Sequence, residues 1–231
     1  MMKSVVSFIF GWAVLICVIV FSIDRTALDL SFYTSRYEEM QLSSSLGVSN
    51  QDLNTSIENL LDYIADDRAD IDGMITRYGI KQKTFNERET KHMIDVKVLY
   101  QNVIKTAWVS FALGVIILLY FLIWERKYCL SYLTKGFLQA FLCLGIVLCF
   151  FGFWVFYDFT GFWNWFHTIF FTNDLWLLNP ATDFMICMLP ETIFNQLVLS
   201  ISVKAILVLL VLSICSGIYQ VRKAPIGFDQ K

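Results

Sequence analysis

Four long apolar runs, at about residues 5–23, 106–124, 136–157 and 193–219, most constrain what this chain can form. A helix of about 20 residues is long enough to cross the roughly 30 Å hydrocarbon core of a bilayer. Within that core every backbone N–H and C=O group must be satisfied by the segment itself, which favours helices. The runs therefore predict an all-α membrane protein with four transmembrane helices.

The stretches between the runs complete the predicted domain organisation. In chain order we expect transmembrane helix 1 at 1–24, an extracytoplasmic helical segment at 25–102, transmembrane helix 2 at 103–125, a cytoplasmic loop at 126–135, transmembrane helix 3 at 136–157, an interfacial segment at 158–192, transmembrane helix 4 at 193–220 and a cytoplasmic tail at 221–231.

Basic residues indicate the orientation of these helices. They cluster before the first run, between the second and third, and after the fourth, at Lys3, Arg126, Lys127, Lys135, Arg222, Lys223 and Lys231. With four spans, all three groups lie on one side of the membrane, and an excess of Lys and Arg marks the cytoplasmic side. Segments 25–102 and 158–192 are then predicted to be extracytoplasmic.

Composition argues against several kinds of site. The net charge is −2, and no stripe of Lys and Arg indicates a nucleic-acid partner. The six cysteines lie mostly inside apolar runs and show no paired spacing. The sequence therefore predicts neither a disulfide framework nor a metal site.

The segment 25–102 is acidic and has a helical pattern. With Asp24 included, residues 24–102 hold 14 Asp or Glu and 9 Lys or Arg. Ser49 is placed to cap a helix. Apolar residues then recur at helical spacing, at Leu53, Ile57, Leu60, Leu61 and Ile64. Such a helix must bury its apolar face against the membrane surface or another element, so we expect an extracytoplasmic helical cap.

Residues 163–191, WNWFHTIFFTNDLWLLNPATDFMICMLPE, form the most aromatic part of the chain. The stretch is too interrupted for an ordinary span and too apolar for an ordinary loop. Trp-rich segments of this kind settle at the membrane–water boundary, where one edge of the ring stays hydrated. We expect the rest of the chain to hold this interfacial segment, with the active site, at one membrane face.

The chain has only two histidines, and both fall on the predicted extracytoplasmic side. Imidazole is the side chain best suited to proton transfer near neutral pH. Glu89 and Asp95 share a helical face with His92, so a carboxylate is placed to orient that ring. Asn164 lies on one helical stripe with His167. These patterns fit a catalytic or ligand-binding face, but also a solvated helix around His92 and a headgroup-facing helix around His167.

The helix that contains His92 raises a geometric question. If that helix continued straight into the second span, His92 would stand about 21 Å above Thr106. For the two imidazoles to meet, either the span must begin lower, near Val96, or the outer helices must cap the aromatic stretch. We expect the first in part, because Val96, Val98 and Leu99 are apolar enough to enter the membrane. The sequence thus predicts that the imidazoles of His92 and His167 lie next to each other in the folded chain.

Two sequence blocks resemble those of a known family. HMIDVK precedes the second apolar run, and FHTIFF is followed by a Trp, an Asp and MLPE before the fourth. With four spans and a large outer segment after the first, the chain resembles the lipoprotein intramolecular transacylase family, Lit, over essentially its whole length. The resemblance implies that His92 and His167 are a catalytic pair. It places Asp95, Asp183 and Glu191 within the motif blocks as supporting residues.

The resemblance also implies a reaction at the extracytoplasmic face of the bacterial plasma membrane. The substrate is a diacylated lipoprotein, and its sn-2 acyl chain moves from the glyceryl ester to the α-amine of the N-terminal Cys, without a cofactor. The partners are then this lipoprotein and membrane lipid; the sequence fixes no oligomeric state. Two rival functions stay open, a non-enzymatic sensor or assembly protein and a lipid-ester hydrolase.

Overall fold

The computed structural model describes residues 2–223. Its elements, in chain order, are α1 (Met2–Ala27), α2 (Leu30–Glu39), α3 (Leu42–Leu46), α4 (Asn50–Ala65), β1 (Met74–Arg77), β2 (Ile80–Lys83), α5 (Glu87–Trp124), α6 (Cys129–Tyr157), α7 (Phe159–Phe170), α8 (Phe184–Met188) and α9 (Glu191–Lys223). Most of the predicted cytoplasmic tail, residues 224–231 with Lys231, lies outside the described residues.

Four of these helices, α1, α5, α6 and α9, are long and apolar enough to span a membrane. Their surfaces expose large apolar side chains, among them Trp108 at 68%, Ile146 at 69% and Phe150 at 68% exposure. Contiguous apolar surface of this extent is rare on soluble monomers and suits contact with lipid. The prediction of an all-α membrane protein with four transmembrane helices is confirmed.

The chain forms two compact units, and the first contains most of the apolar helices. It comprises the residues up to Ile23, Lys105–Phe156 and the residues from Ile201 onward. Its core includes Leu15, Phe137, Ala140, Leu144 and Leu209. Here α1 and α6 approach very closely, since a Cβ atom added at Gly136 would lie 2.0 Å from the Ser7 carbonyl oxygen. Small residues permit such backbone contact between membrane helices.

The second unit comprises Asp24–Ile104 and Tyr157–Ser200. It combines the two segments that were predicted to be extracytoplasmic, and they share one hydrophobic core in which Leu53 and Ile57 of α4 are clustered with Met188 and Ile193. The Ser49 side chain caps α4 by accepting a hydrogen bond from the Asp52 N–H at 2.9 Å. Both the cap and the buried face of this helix match the sequence pattern.

A β-hairpin in the second unit was not predicted. Strands β1 and β2 pair antiparallel, with Met74 opposite Lys83 and Arg77 opposite Ile80. Tyr78 and Gly79 form the two-residue turn, with φ values of 48° and 80°. Two consecutive left-handed residues define the turn that suits the twist of a hairpin, and Gly79 adopts that conformation without strain.

Candidate active site

The start of α5 is fixed by a reciprocal cap. The Asn86 side-chain oxygen accepts a hydrogen bond from the Glu89 N–H at 3.1 Å, and the Glu89 carboxylate accepts one from the Asn86 N–H at 2.7 Å. This arrangement satisfies two backbone donors that a helix start leaves unpaired. The helix therefore begins well before the uncharged apolar run that follows Lys105, and its first turns, with His92, lie outside that run.

His92 and His167 lie side by side in the second unit. Their ring centroids are 6.3 Å apart, with 32° between the ring planes. Both side chains are buried, at 7% and 8% exposure. Phe171 contacts both rings, with centroid distances of 5.3 Å and 5.5 Å. The first turns of α5 and the aromatic segment belong to the same unit, which is how two histidines distant in sequence come together.

His167 is held in one orientation by its own helix. Its Nδ1 atom lies 2.7 Å from the backbone carbonyl oxygen of Trp163. A carbonyl oxygen only accepts hydrogen bonds, so Nδ1 carries the proton of the neutral ring and Nε2 keeps its lone pair. Burial lowers the pKa of His167, while the Trp163 carbonyl acts in the opposite direction. The geometry thus presents a neutral imidazole with a basic nitrogen.

Aromatic rings surround His167 on several sides. Trp176 stacks on the imidazole at 4.8 Å, and Trp163 meets it edge-on at 4.9 Å. Phe166 also meets it edge-on, at 5.7 Å. Such packing leaves the ring little rotational freedom and excludes water from its faces. These rings provide an apolar wall next to a proton-transfer group.

His92 has a different environment. Its Nδ1 atom is buried, and no hydrogen-bond partner for it exists within residues 2–223. Burial, together with the neighbouring His167 and Arg88, lowers the pKa of His92 to about 4, with Asp95 opposing the shift. A buried polar atom without a partner is unfavourable, and a catalytic role is one explanation for it. His92 is therefore a neutral imidazole with unused hydrogen-bonding capacity.

The two carboxylates predicted to orient His92 bind elsewhere. Glu89 is 1% exposed and accepts a hydrogen bond from the Met185 N–H at 2.6 Å, in addition to that from Asn86. Asp95 accepts one from the Asn173 side-chain amide at 2.9 Å. Both carboxylates thus join α5 to the segment that contains His167, rather than hydrogen-bonding to His92 itself.

Asp183 joins the same two segments. Its carboxylate accepts hydrogen bonds from the Asn86 side chain at 2.8 Å, the Asn179 N–H at 2.6 Å and the Thr182 hydroxyl at 2.9 Å. Burial acts to raise the pKa of Asp183, but these donors outweigh it and lower the pKa. The group is a carboxylate that positions the loop before α8.

The remaining predicted residues lie on the surface. Asn164 is exposed, so the stripe that it shares with His167 in sequence does not form a buried face. Glu191 is also exposed and accepts a hydrogen bond from the Thr160 hydroxyl at 2.6 Å. Glu191 therefore connects the starts of α7 and α9 and does not contact an imidazole.

Arg88 is a residue of this site that sequence reasoning missed. Its guanidinium donates a hydrogen bond to the Asp174 carbonyl oxygen and lies 3.5 Å from the Asp174 carboxylate. It stands one turn before His92, on the same helical face. That i, i+4 spacing was the signal available in the sequence.

In the described part of the chain, no three His, Cys, Asp or Glu side chains are grouped as metal ligands would be.

Comparisons with known proteins agree with this architecture. The fold is similar to an in meso structure of the membrane integral lipoprotein intramolecular transacylase Lit from Bacillus cereus, with a TM-score of 0.72, 16% identity, and 96% of this chain and 97% of that chain covered. Structures of that protein with a histidine-to-arginine or a histidine-to-alanine mutation give TM-scores of 0.71 at 15% identity, covering 96% of this chain and 93% and 94% of theirs.

Sequence comparison identifies the family. Curated proteins give no match to the chain. A family model described as lipoprotein intramolecular transacylase Lit matches residues 8–194, which include both histidine blocks. This match covers about four fifths of the 231 residues. The chain therefore belongs to the lipoprotein intramolecular transacylase family, Lit.

Proposed function

We propose that this chain transfers the sn-2 acyl group of a diacylated bacterial lipoprotein to the α-amine of its N-terminal Cys, and that His92 and His167 carry the reaction. A C–N bond forms, the sn-2 C–O bond breaks, and one proton passes from the amine to the glyceryl oxygen. An ester is exchanged for a more stable amide, so the reaction balances without a cofactor or an added reactant.

In this proposal His167 is the general base. An amine must lose a proton as it attacks the ester carbonyl, and a neutral imidazole can take that proton. The hydrogen bond from Nδ1 to the Trp163 carbonyl leaves Nε2 as the accepting atom. The lowered pKa of His167 supports this role, because the ring stays unprotonated near neutral pH.

His92 is proposed to handle the leaving oxygen. The glyceryl alkoxide must gain a proton as the tetrahedral intermediate collapses. The His92 ring lies 6.3 Å from that of His167, so reacting atoms between the rings would be within reach of both. A neutral imidazole offers one N–H donor and one lone pair, so His92 can give its N–H proton to the glyceryl oxygen while its lone pair takes the proton that His167 received from the amine.

The aromatic wall is proposed to position the substrate. Donor and acceptor belong to one molecule, so the protein mainly has to fold the lipidated headgroup into attack geometry. Rings such as Trp163, Phe166 and Trp176 offer apolar surface for acyl chains beside His167. Exclusion of water there would favour transfer to the amine over hydrolysis.

The proposed location of the reaction is the extracytoplasmic face of the plasma membrane. Basic residues flank the apolar helices on the other side, and such residues mark the cytoplasmic face. Both histidines lie in the unit formed by Asp24–Ile104 and Tyr157–Ser200. A lipoprotein anchored in the outer leaflet by its acyl chains would reach that unit without leaving the membrane.

The observation that carries the proposal is the pairing of two buried neutral imidazoles, with aromatic rings packed around His167. Its test is tandem mass spectrometry of a diacylated lipopeptide incubated with the purified chain. The product is an isomer of the substrate, so the intact mass should stay constant while fragmentation places one acyl group on the N-terminal amine. Glu58→Gln changes an exposed residue of α4 and should form the same product, so it serves as the active control for variants of the two histidines.

A crossover arm separates the alternatives. Two lipopeptides with different peptide masses and different acyl lengths are mixed, and each product should keep its own acyl groups. Exchanged chains would indicate intermolecular transfer. Loss of one acyl chain as free fatty acid would indicate a hydrolase. Unchanged substrate under conditions in which the chain is folded would favour the sensor or assembly function.

A further inference from the structure

Arg88 is anchored at one end of its guanidinium and unsatisfied at the other. One terminal nitrogen contacts Asp174, through both the backbone carbonyl and the carboxylate. The Nε atom is buried and has no hydrogen-bond acceptor among residues 2–223. A buried donor without an acceptor is unfavourable, so a built arrangement of this kind suggests an acceptor supplied by a ligand.

The anchor holds the guanidinium near His92. Arg88 and His92 lie one helical turn apart on α5. Asp174 is two residues before Trp176, which stacks on His167. The positive charge of Arg88 also contributes to the lowered pKa values of His92 and Asp183, so its electrostatic field acts on both groups. Arg88 thus links α5, which supplies His92, to the loop that follows His167.

The proposed chemistry has a requirement that the imidazoles leave unmet. Attack on the ester carbonyl places negative charge on its oxygen, and that oxyanion needs a hydrogen-bond donor. The Nδ1–H group of His167 is already used by the Trp163 carbonyl. A permanently charged guanidinium with a free N–H is well suited to stabilise an oxyanion.

We infer that Arg88 is a further catalytic residue, whose Nε–H group binds the carbonyl oxygen of the sn-2 ester and stabilises the oxyanion of the tetrahedral intermediate. This inference rests on the proposed transacylation. No bond to Arg88 forms or breaks. The guanidinium only donates a hydrogen bond, which strengthens as the carbonyl oxygen gains charge and relaxes when the amide forms.

The test measures kcat and KM in a neutral detergent free of phospholipid, with a diacylated lipopeptide as substrate. Arg88→Gln should lower kcat about 10²-fold with a much smaller change in KM, as loss of an oxyanion donor does. Arg88→Lys keeps the charge but lacks Nε–H, and kcat should fall about 10-fold. Asp174→Asn keeps the guanidinium and should lose less than Arg88→Gln. Lys91→Gln, the same charge change one turn away, should behave as wild type.

Chemical rescue adds a measurement that a purely structural role would not affect. Methylguanidinium should restore part of the activity of Arg88→Ala and leave Asp174→Asn unchanged. Equal losses in the Arg88 and Asp174 variants, without rescue, would reduce Arg88 to an anchor and overturn the inference. A loss of activity in the Arg88 variants that appears only in anionic vesicles would also overturn the inference, because it would indicate that Arg88 binds lipid phosphate.

Two further outcomes complete the design. If wild type gives no N-acylated product, the proposed function fails, and the inference fails with it. If wild type is active and Arg88→Gln equals it, only the Arg88 inference fails. Should Arg88→Gln not fold, Arg88→Lys and the rescue of Arg88→Ala decide the question.

Discussion

The Glu89 carboxylate accepts a hydrogen bond of 2.6 Å from the backbone N–H of Met185, although 96 residues separate the two. The same carboxylate caps α5 through the Asn86 N–H. It therefore fastens the start of α5, one turn before His92, to the start of α8. This buried side chain therefore helps to position the His92 imidazole, together with the links that Asp95 and Asp183 form.

Replacement of Glu89 should destabilise the fold. Glu89→Ala leaves two backbone N–H groups without their acceptor, and we expect a loss of about 2–4 kcal/mol in unfolding free energy. Glu87→Ala is the matched control, because Glu87 is exposed in the same turn and forms only a surface ion pair with Lys91. Thermal unfolding in detergent measures both. Equal unfolding midpoints for the two variants would contradict the role assigned to Glu89.

The histidine pair should behave as one unit in catalysis. His92→Asn and His167→Asn should each abolish amide formation while the protein remains folded at normal levels. The double variant should be little worse than either single variant, because residues that act together are not additive. Tandem mass spectrometry of the lipopeptide product measures this. Near-normal transfer by a stable single variant would remove that histidine from the mechanism.

The protonation states of the two rings can be observed directly. Because the chain has only two histidines, selective 15N labelling of histidine resolves both by NMR. His167 should show a protonated Nδ1 and an unprotonated Nε2. Both pKa values are lowered, chiefly by burial, so the rings should stay neutral as the pH falls below 6.5, and His92 until about pH 4.

Titration of these rings has a consequence for stability. Below pH 6.5 the unfolded chain binds protons that the folded chain does not, so acid should weaken folding as the pH falls towards 4. Asp95 opposes the shift of His92, while His167 and Arg88 reinforce it. A measured pKa above 6.5 for His92 would be inconsistent with the burial of its ring.

Close packing of α1 on α6 gives a prediction away from the site. Gly136→Ala would place its Cβ atom 2.0 Å from the Ser7 carbonyl oxygen, so a backbone must move. We expect destabilisation of about 1–3 kcal/mol. Gly145→Ala on the same helix meets nothing within 4 Å and should be neutral or slightly stabilising. A lower unfolding midpoint for the Gly145 variant than for the Gly136 variant would refute this packing argument.

Membrane orientation can be tested by cysteine labelling in intact cells. In a background without the six native cysteines, Asp67→Cys should react with an impermeant maleimide, and Lys127→Cys should react only after lysis. Both positions are exposed, so access depends on the membrane rather than on folding. The reverse pattern would place the histidine pair on the cytoplasmic face.

The sequence predicted some features well because their signals are local. Apolar runs defined the four long helices, and the Ser49 cap and the buried face of α4 followed from residue spacing. The hairpin was missed, since its strands have four residues each and mixed polarity.

The partners of Glu89 and Asp95 were missed for another reason. Local spacing paired them with His92, whereas the fold supplied Met185 and Asn173 as partners from far along the chain. Tertiary donors of this kind leave no signal in a single sequence. Arg88 was missed because an Arg near the start of a helix is ordinarily solvated.

The bond between His167 and the Trp163 carbonyl has a consequence for the proposed catalytic cycle. The acceptor belongs to the helix backbone, so the ring cannot flip to exchange its two nitrogens without losing that hydrogen bond. The acyl transfer begins and ends with the same total number of protons on protein and substrate. A base that gives back its proton without a flip of its ring ends each cycle in the tautomer with which it began. His167 itself would then need no recovery step, whereas His92, which relays a proton from one ring nitrogen to the other, must return to its starting tautomer before the next lipoprotein.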